Sequence, residues 1–318
     1  MAAFYGNPLS DDACVELLQG VYDAGCRHFD TAEIYKSGNP FESAPGDTWN
    51  EAQIGRFLKT VPRDTFTVAT KFFPHKWGEK CDYETVKKSL ELSLERLGLD
   101  YVDVYYCHRI TSLEGALEFV ASAKKLQDEG LIKGIGLSEI IGAWLRKAYE
   151  VAPIACVQQE WSLITRIHED ELVPVCKDLG VVIVCYSPLG RNILTGVVTE
   201  KPTDWRKDLP RYSDENLATN MALVKEVETI AQKHNCTAAQ LSLAWLFHKA
   251  YALGVTIIPI PGTTKIKHAL SNIQAADVSI DPAELPPLEA VGAKVAGERG
   301  DESYKSMGIE AQLAAGKL

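Results

Sequence analysis

Seven short runs rich in β-branched and aromatic residues recur along the chain, each ending in polar or turn residues and followed by helical spacing of apolar positions. They are RHFDTAEIY (27–35), TFTVATKFF (65–73), YVDVYYCHRI (101–110), LIKGIGLSE (131–139), IACVQQEWS (154–162), VVIVCYSPLG (181–190) and VTIIPIPGT (255–263). The pattern predicts a strand in each run and a helix after it. Ser10 or Asp11 is placed to cap a helix reaching about Ala24 and closed by Gly25. Asp82 is placed to open one with Val86, Leu90, Leu94 and Leu97 on a single face and Gly98 at its end. Thr237 with Gln240 reads as a capping box ahead of LSLAWLFHKA.

Strand-helix units repeated at about 40 residues imply parallel strands with helical crossovers, and an uninterrupted series favours a (β/α)8 barrel. Residues 1–318 are therefore expected to form a single α/β barrel domain, with 298–318 as a C-terminal tail. The rival is a doubly wound open sheet. Such a sheet ordinarily carries G-x-G-x-x-G after an early strand, and the sequence has none there. Two segments are irregular, KSGNPFESAPGD (36–47) and Arg191 to Tyr212; loops of that length in compact domains are often lids or binding loops. The tail has few large apolar residues beyond Tyr304, Met307 and Ile309, and reads either as a wrap over the barrel mouth or as a loose end.

The formal charge of −10 argues against nucleic-acid or anionic-membrane partners, and 46% hydrophobic with 24% charged residues suits a globular chain with a large core. No apolar run approaches the ~20 residues of a membrane-spanning helix, and MAAFYGNPLSDDAC lacks the regions of a signal peptide, so the expected compartment is the cytoplasm. The eight cysteines are scattered without a C-x-x-C pair, which favours free thiols. Cys26 and His28 have no second pair at ligand spacing, so no metal is expected. Cys107 and Cys185 each precede a candidate site residue, and strand alternation turns both into the helical layer as packing.

In a parallel barrel the active site lies at the carboxyl ends of the strands. Notable polar residues fall there: Asp30 and Tyr35 after the first run, Lys71 in the second, His108 in the third, Ser138 and Glu139 in the fourth, Gln158 in the fifth and Tyr186 in the sixth. Each has a plainer reading taken alone. Asp30 could cap a turn, Lys71 could snorkel, His108 could be a satisfied core histidine and Tyr35 could be loop packing. Four such groups at successive strand ends are harder to dismiss.

On HFDTAEIY, VATKF and VDVYYCHR, which carry the Asp and Tyr, the Lys and the His, the sequence resembles the aldo-keto reductase superfamily. KGIGLSE, VQQEWS, CYSPLGR and IPIPGTTK resemble the cofactor segments of its branch containing perakine reductase and related aldehyde reductases. The resemblance runs from about Phe4 to about Arg299. It implies NADP(H)-dependent, metal-free reduction of a small-molecule carbonyl substrate on Asp30, Tyr35, Lys71 and His108. A phenol of pKa ~10 is a poor proton donor at neutral pH. A Lys71 ammonium about 4 Å away contributes ~4 kcal/mol at an effective dielectric of ~20, enough to make Tyr35 a workable general acid. Asp30 would keep Lys71 charged and aimed, and His108 would orient the substrate oxygen or relay a proton.

For the cofactor, the resemblance implies Ser138 and Gln158 on the nicotinamide carboxamide, and Tyr186 stacked on its ring. Glu139 stands where many relatives have Asn. Trp161 would line the substrate pocket or simply pack. Ser187, Leu189 and Arg191 would lead a loop over the pyrophosphate. Gly262, Thr263 and Thr264 would open a helix whose free N–H groups suit a phosphate. Lys265 and Lys267 would add charge for a 2′-phosphate, favouring NADPH over NADH. His268 falls where many relatives carry Arg, and Asn272 matches the family's adenine contact or serves as a cap.

The family places a Gly-rich strand before the segment that begins here at Met1, so the expectation is a barrel with its first strand and opening hairpin missing. That loss would expose unpaired strand edges, which invite association. The segment HRITSLEGALEF also looks shorter than usual and would reshape the pocket rim. Two other readings stay open: a nicotinamide-binding regulatory subunit like the potassium-channel β subunits, and an inactive N-terminally truncated product. Physiological substrate and oligomeric state are not encoded in any motif.

Overall fold

The computed structural model describes residues 9–38 and 46–315. The start of the family resemblance near Phe4, most of the 36–47 loop and residues 316–318 lie outside them. Among the described residues each of the seven runs holds one strand: β1 (His28–Asp30), β2 (Thr67–Phe72), β3 (Val102–Cys107), β4 (Ile132–Ser138), β5 (Cys156–Glu160), β6 (Val182–Tyr186) and β7 (Ile257–Pro259). Their order in the sheet is their order in the chain. This is the α/β arrangement expected of barrel staves.

Twelve α-helices accompany them among the described residues: α1 (Asp11–Asp23), α2 (Asn50–Leu58), α3 (Tyr83–Leu97), α4 (Leu113–Asp128), α5 (Gly142–Val151), α6 (Leu172–Leu179), α7 (Asp214–Lys233), α8 (Ala238–Leu253), α9 (Ile266–Gln274), α10 (Leu285–Gly292), α11 (Glu302–Ser306) and α12 (Ile309–Ala315). None is long and apolar enough to cross a membrane.

The chain forms two compact units. The first comprises Met1–Gln158, Thr263–Ile266 and Met307–Leu318, and the second Gln159–Gly262 and Lys267–Ser306. In the first unit β1 to β5 pair in parallel, with registers such as Asp30↔Ala69, Lys71↔Tyr106, Tyr106↔Gly136 and Ser138↔Gln158. β2 and β5 are buried almost throughout, their polar side chains Thr70, Lys71, Gln158, Gln159 and Glu160 included. Local signals set the helix ends. The Ser10 side chain accepts from Ala13 N at 3.3 Å, and Asp82 accepts from Thr85 N at 3.0 Å, each satisfying an otherwise unpaired donor of the first turn. Gly98 closes α3 in the left-handed conformation at φ +66°. Val86, Leu90, Leu94 and Leu97 are buried along that helix, at about 1.5–3 kcal/mol each.

A close approach locks α2 onto α3. A Cβ on Gly55 would lie 2.4 Å from the Leu97 carbonyl oxygen, so only glycine fits there. Beside it the buried Glu51 carboxylate takes the Thr70 hydroxyl and the Arg96 guanidinium. In the second unit β6 and β7 pair in parallel. The capping box of α8 forms as expected, with Gln240 N donating to Thr237 Oγ1 at 3.2 Å and Thr237 N to Gln240 Oε1 at 3.0 Å. That helix buries Leu241, Leu243, Trp245 and Leu246 on successive sides, as an apolar core helix does. The Arg191–Tyr212 connection contains three 3-10 segments, Gly190–Thr195, Trp205–Asp208 and Pro210–Tyr212.

Candidate active site

All four expected catalytic residues belong to the first unit and lie at or just beyond strand ends. Lys71 leaves β2 fully buried. Its ammonium donates to Asp30 Oδ1, at the end of β1, and to the Thr31 carbonyl at 2.6 Å. The other Asp30 oxygen accepts from Gln158 Nε2 at 2.9 Å. The Lys71 ammonium stands 5.0 Å from the Tyr35 ring centroid and 5.8 Å from that of Tyr106. Burial alone would depress the lysine, but the Asp30 charge and hydrogen bond, with Tyr35 and Glu51 behind them, hold its pKa above the ordinary value. The ammonium therefore stays charged through the physiological range.

Tyr35 is half-buried in the turn after β1, where its amide donates to Ala32 O at 3.0 Å and its carbonyl accepts from Asn50 N at 2.9 Å. Asn50 also receives the Thr31 hydroxyl at 2.9 Å, so the start of α2 holds both ends of this turn. The His108 and Tyr35 rings meet in a T-shaped contact, with centroids 5.9 Å apart and planes at 88°. Burial, the Lys71 and Arg109 charges and His75 push the His108 pKa well below the ordinary value against the pull of Glu139. The ring is therefore a neutral imidazole at pH 7, able to donate one hydrogen bond. Its buried Nδ1 has no hydrogen-bond partner among the described residues.

Glu33, not singled out by sequence, anchors the wall beside this group. Its fully buried carboxylate accepts from Phe73 N at 2.7 Å, Trp77 Nε1 at 3.1 Å and Lys76 at 2.8 Å, and Phe73 packs against the His108 ring at 5.4 Å. Tyr106 was missed as well. A Cβ at Gly136 would sit 2.3 Å from its ring, so the glycine of KGIGLSE makes room for the aromatic lid over Lys71. Gly136 stands opposite Tyr106 in the β3–β4 register, a pairing that exists only in the folded sheet.

Ser138 and Gln158 pair across β4 and β5, both nearly buried, at adjacent strand ends. Glu139, expected with them, adopts φ +57°, and its carboxylate turns to Arg109 Nη1 at 3.5 Å and Ile309 N at 3.2 Å. Thr263 Oγ1 accepts from Lys265 N at 3.1 Å before α9, and Thr264 and Lys265 are exposed.

In the second unit the Tyr186 hydroxyl lies 2.6 Å from that of Tyr304 and accepts from Arg299 Nη1 at 3.1 Å. Ser187 follows at φ +47°, then half-buried Leu189 and buried Arg191, whose guanidinium pairs with Glu160 at 3.1 Å. Trp161 is fully buried, donating to Glu169 Oε1 at 3.0 Å and meeting the His168 ring in a T-shaped contact. Lys267 and His268 are exposed on the first turn of α9, Asn272 is half-buried further along it, and a Cβ on exposed Gly262 would meet nothing within 4 Å. Among the described residues no three His, Cys, Asp or Glu side chains cluster to hold a metal ion.

Both the sequence and the fold have known relatives. The family model described as the aldo/keto reductase family matches residues 1–293. A probable aldo-keto reductase 1 from Glycine max is 40% identical over 297 residues, covering 90% of this chain and 82% of the relative. A thermostable aldo-keto reductase crystallised with the inhibitor epalrestat superposes with a TM-score of 0.70 at 27% identity, over 91% of this chain and 90% of that one. An aldo-keto reductase from Klebsiella pneumoniae solved with NADPH gives 0.68 at 24% identity, over 91% and 89%, a likeness of fold. The chain belongs to the aldo/keto reductase family, oxidoreductases that use nicotinamide cofactors and act on small carbonyl compounds.

Proposed function

We propose that this chain reduces aldehydes or ketones to alcohols with NADPH, with Tyr35 as general acid. The observation that carries the reading is the stack of charges beneath the phenol: Asp30 and the Thr31 carbonyl hold the buried Lys71 ammonium 5.0 Å from the Tyr35 ring. A fixed positive charge favours the phenolate, so the hydroxyl gives up its proton more readily as negative charge grows on a substrate oxygen. The neutral His108 ring beside it orients that oxygen with a hydrogen bond and adds no competing proton.

The residues present suit the cofactor. Adjacent buried Ser138 and Gln158 offer a hydroxyl and an amide to a carboxamide, and Gln158 is already steadied by Asp30. Gly262, Thr263, Thr264, Lys265, Lys267 and His268 are assigned to the phosphates, as a polar segment at the start of α9 with positive charge from its lysines. Tyr186 offers a ring face, Ser187, Leu189 and Arg191 belong with the pyrophosphate, and Asn272 with adenine. Lys265 and Lys267 favour the 2′-phosphorylated form, and the Klebsiella pneumoniae neighbour was solved with NADPH. When bound, the dihydronicotinamide supplies the hydride.

The test is direct. NADPH is titrated into the purified chain by fluorescence, and a panel of aldehydes is then added. Saturable binding followed by NADPH consumption supports the proposal. Binding without turnover favours a regulatory role, and no binding removes the reading.

A further inference from the structure

We infer that Gln312, on the C-terminal helix α12, is a positioning residue that fixes the two turns carrying His108 and Ser138. The inference rests on the roles just given to those two residues. Both turns and α12 belong to the first unit.

Where β3 and β4 end, the chain leaves the sheet and its backbone groups lose their ladder partners. The turns that follow adopt the left-handed region at non-glycine residues, Arg109 at φ +71° directly after His108 and Glu139 at φ +57° directly after Ser138. Side chains with a Cβ rarely adopt this conformation, and it persists where the surroundings impose it. The buried amide of Gln312 makes that imposition. Its Nε2 donates to the carbonyls of Ile110, at 2.8 Å, and of Glu139, and its Oε1 accepts from Ile141 N at 3.0 Å. One side chain thus satisfies two buried acceptors and one buried donor from two separate turns, using both amide hydrogens.

The clasp closes a second time at the start of α12. The fully buried Glu139 carboxylate accepts from Ile309 N at 3.2 Å and meets Arg109 Nη1 at 3.5 Å, tying the helix to one turn and that turn to the other. On the strand side His108 is held by its amide on Phe72 O at 2.7 Å, and Ser138 by its place in register opposite Gln158. Each site residue is therefore pinned from the sheet on one side and from α12 on the other. Catalytic geometry is sensitive to displacements of about 1 Å, so a helix far along the chain governs how well the ring and the hydroxyl are aimed.

The test uses the full chain with Gln312→Ala, and with the isosteric Gln312→Glu, which keeps the acceptor for Ile141 N and loses both donors. Hydrogen exchange is followed residue by residue, and kcat and KM are measured for an aldehyde at saturating NADPH. Expected is exchange about tenfold faster at amides 109–111 and 139–140 in both variants, and at Ile141 in Gln312→Ala, with the strand amides of β3 and β4 unchanged. Expected alongside is a kcat about tenfold lower, with KM within about twofold of the parent, as for positioning lost in the transition state. Exchange that rises evenly through the first unit, or parental kcat despite loosened turns, overturns the assignment. The exchange measurement needs no turnover, so an inactive parent whose turns loosen as described would overturn the reductase reading and leave the clasp standing.

Discussion

Gln158 Nε2 donates to Asp30 Oδ2 at 2.9 Å, while the other oxygen of that carboxylate takes the Lys71 ammonium. One acid thereby couples a residue proposed for the carboxamide to the charge proposed to assist Tyr35. Gln158→Glu sets a second carboxylate against Asp30, and like charges at that range raise one of the two pKa values. Both NADPH affinity and kcat are expected to fall, each by about tenfold, while Gln158→Ala chiefly weakens NADPH binding. Fluorescence titration and steady-state rates on the two variants separate these effects.

Asp30→Asn leaves the buried Lys71 without its counter-charge. Breaking one partner of such a pair is expected to destabilise the fold by about 3 kcal/mol, read as a lower urea midpoint with little change in slope. Lys71→Met removes the charge instead. It is expected to lower kcat by about two orders of magnitude or more with a smaller loss of stability. Equal stability losses in the two variants, with unchanged kcat for Lys71→Met, would contradict the proposed role of the ammonium.

Gly136→Ala drives a methyl into the Tyr106 ring. Overpacking there is expected to destabilise by about 1–3 kcal/mol and to lower kcat, because the displaced ring covers Lys71. Gly55→Ala, at the α2–α3 contact, is expected to destabilise comparably while kcat is retained. Thermal melts and rates for the pair distinguish packing at the site from packing elsewhere.

His108 and His28 both have folded pKa values below the usual ~6.5, each mainly through burial. Below about pH 6.5 the unfolded chain takes up protons that the native rings resist, so their contribution to stability is complete above that pH and declines beneath it. Urea midpoints are expected to fall between pH 7.5 and 5, and His28→Gln is expected to flatten part of that slope. A flat parental profile would mean that both rings protonate freely in the folded state.

The seven strands, the caps of α1 and α3 and the capping box of α8 were legible because each depends on residues within a few positions of one another. Asp30, Tyr35, Lys71 and His108 stood out because barrel geometry turns strand ends into a common site. Glu33 reads as one more acid in a turn until folding brings Phe73, Lys76 and Trp77 to it. The Ile141 amide that Gln312 accepts is 171 positions away, so its role exists only in the folded chain. The left-handed backbone at Glu139 runs against local preference, and the contacts of its carboxylate with Arg109 and the Ile309 amide exist only in the folded chain.

The decisive measurement is turnover by Tyr35→Phe, with NADPH affinity measured on the same preparation. Losing only the hydroxyl should leave NADPH binding as in the parent and lower kcat by about a thousandfold, the scale of a missing general acid. Parental turnover from the phenylalanine variant would show that the proton comes from another group.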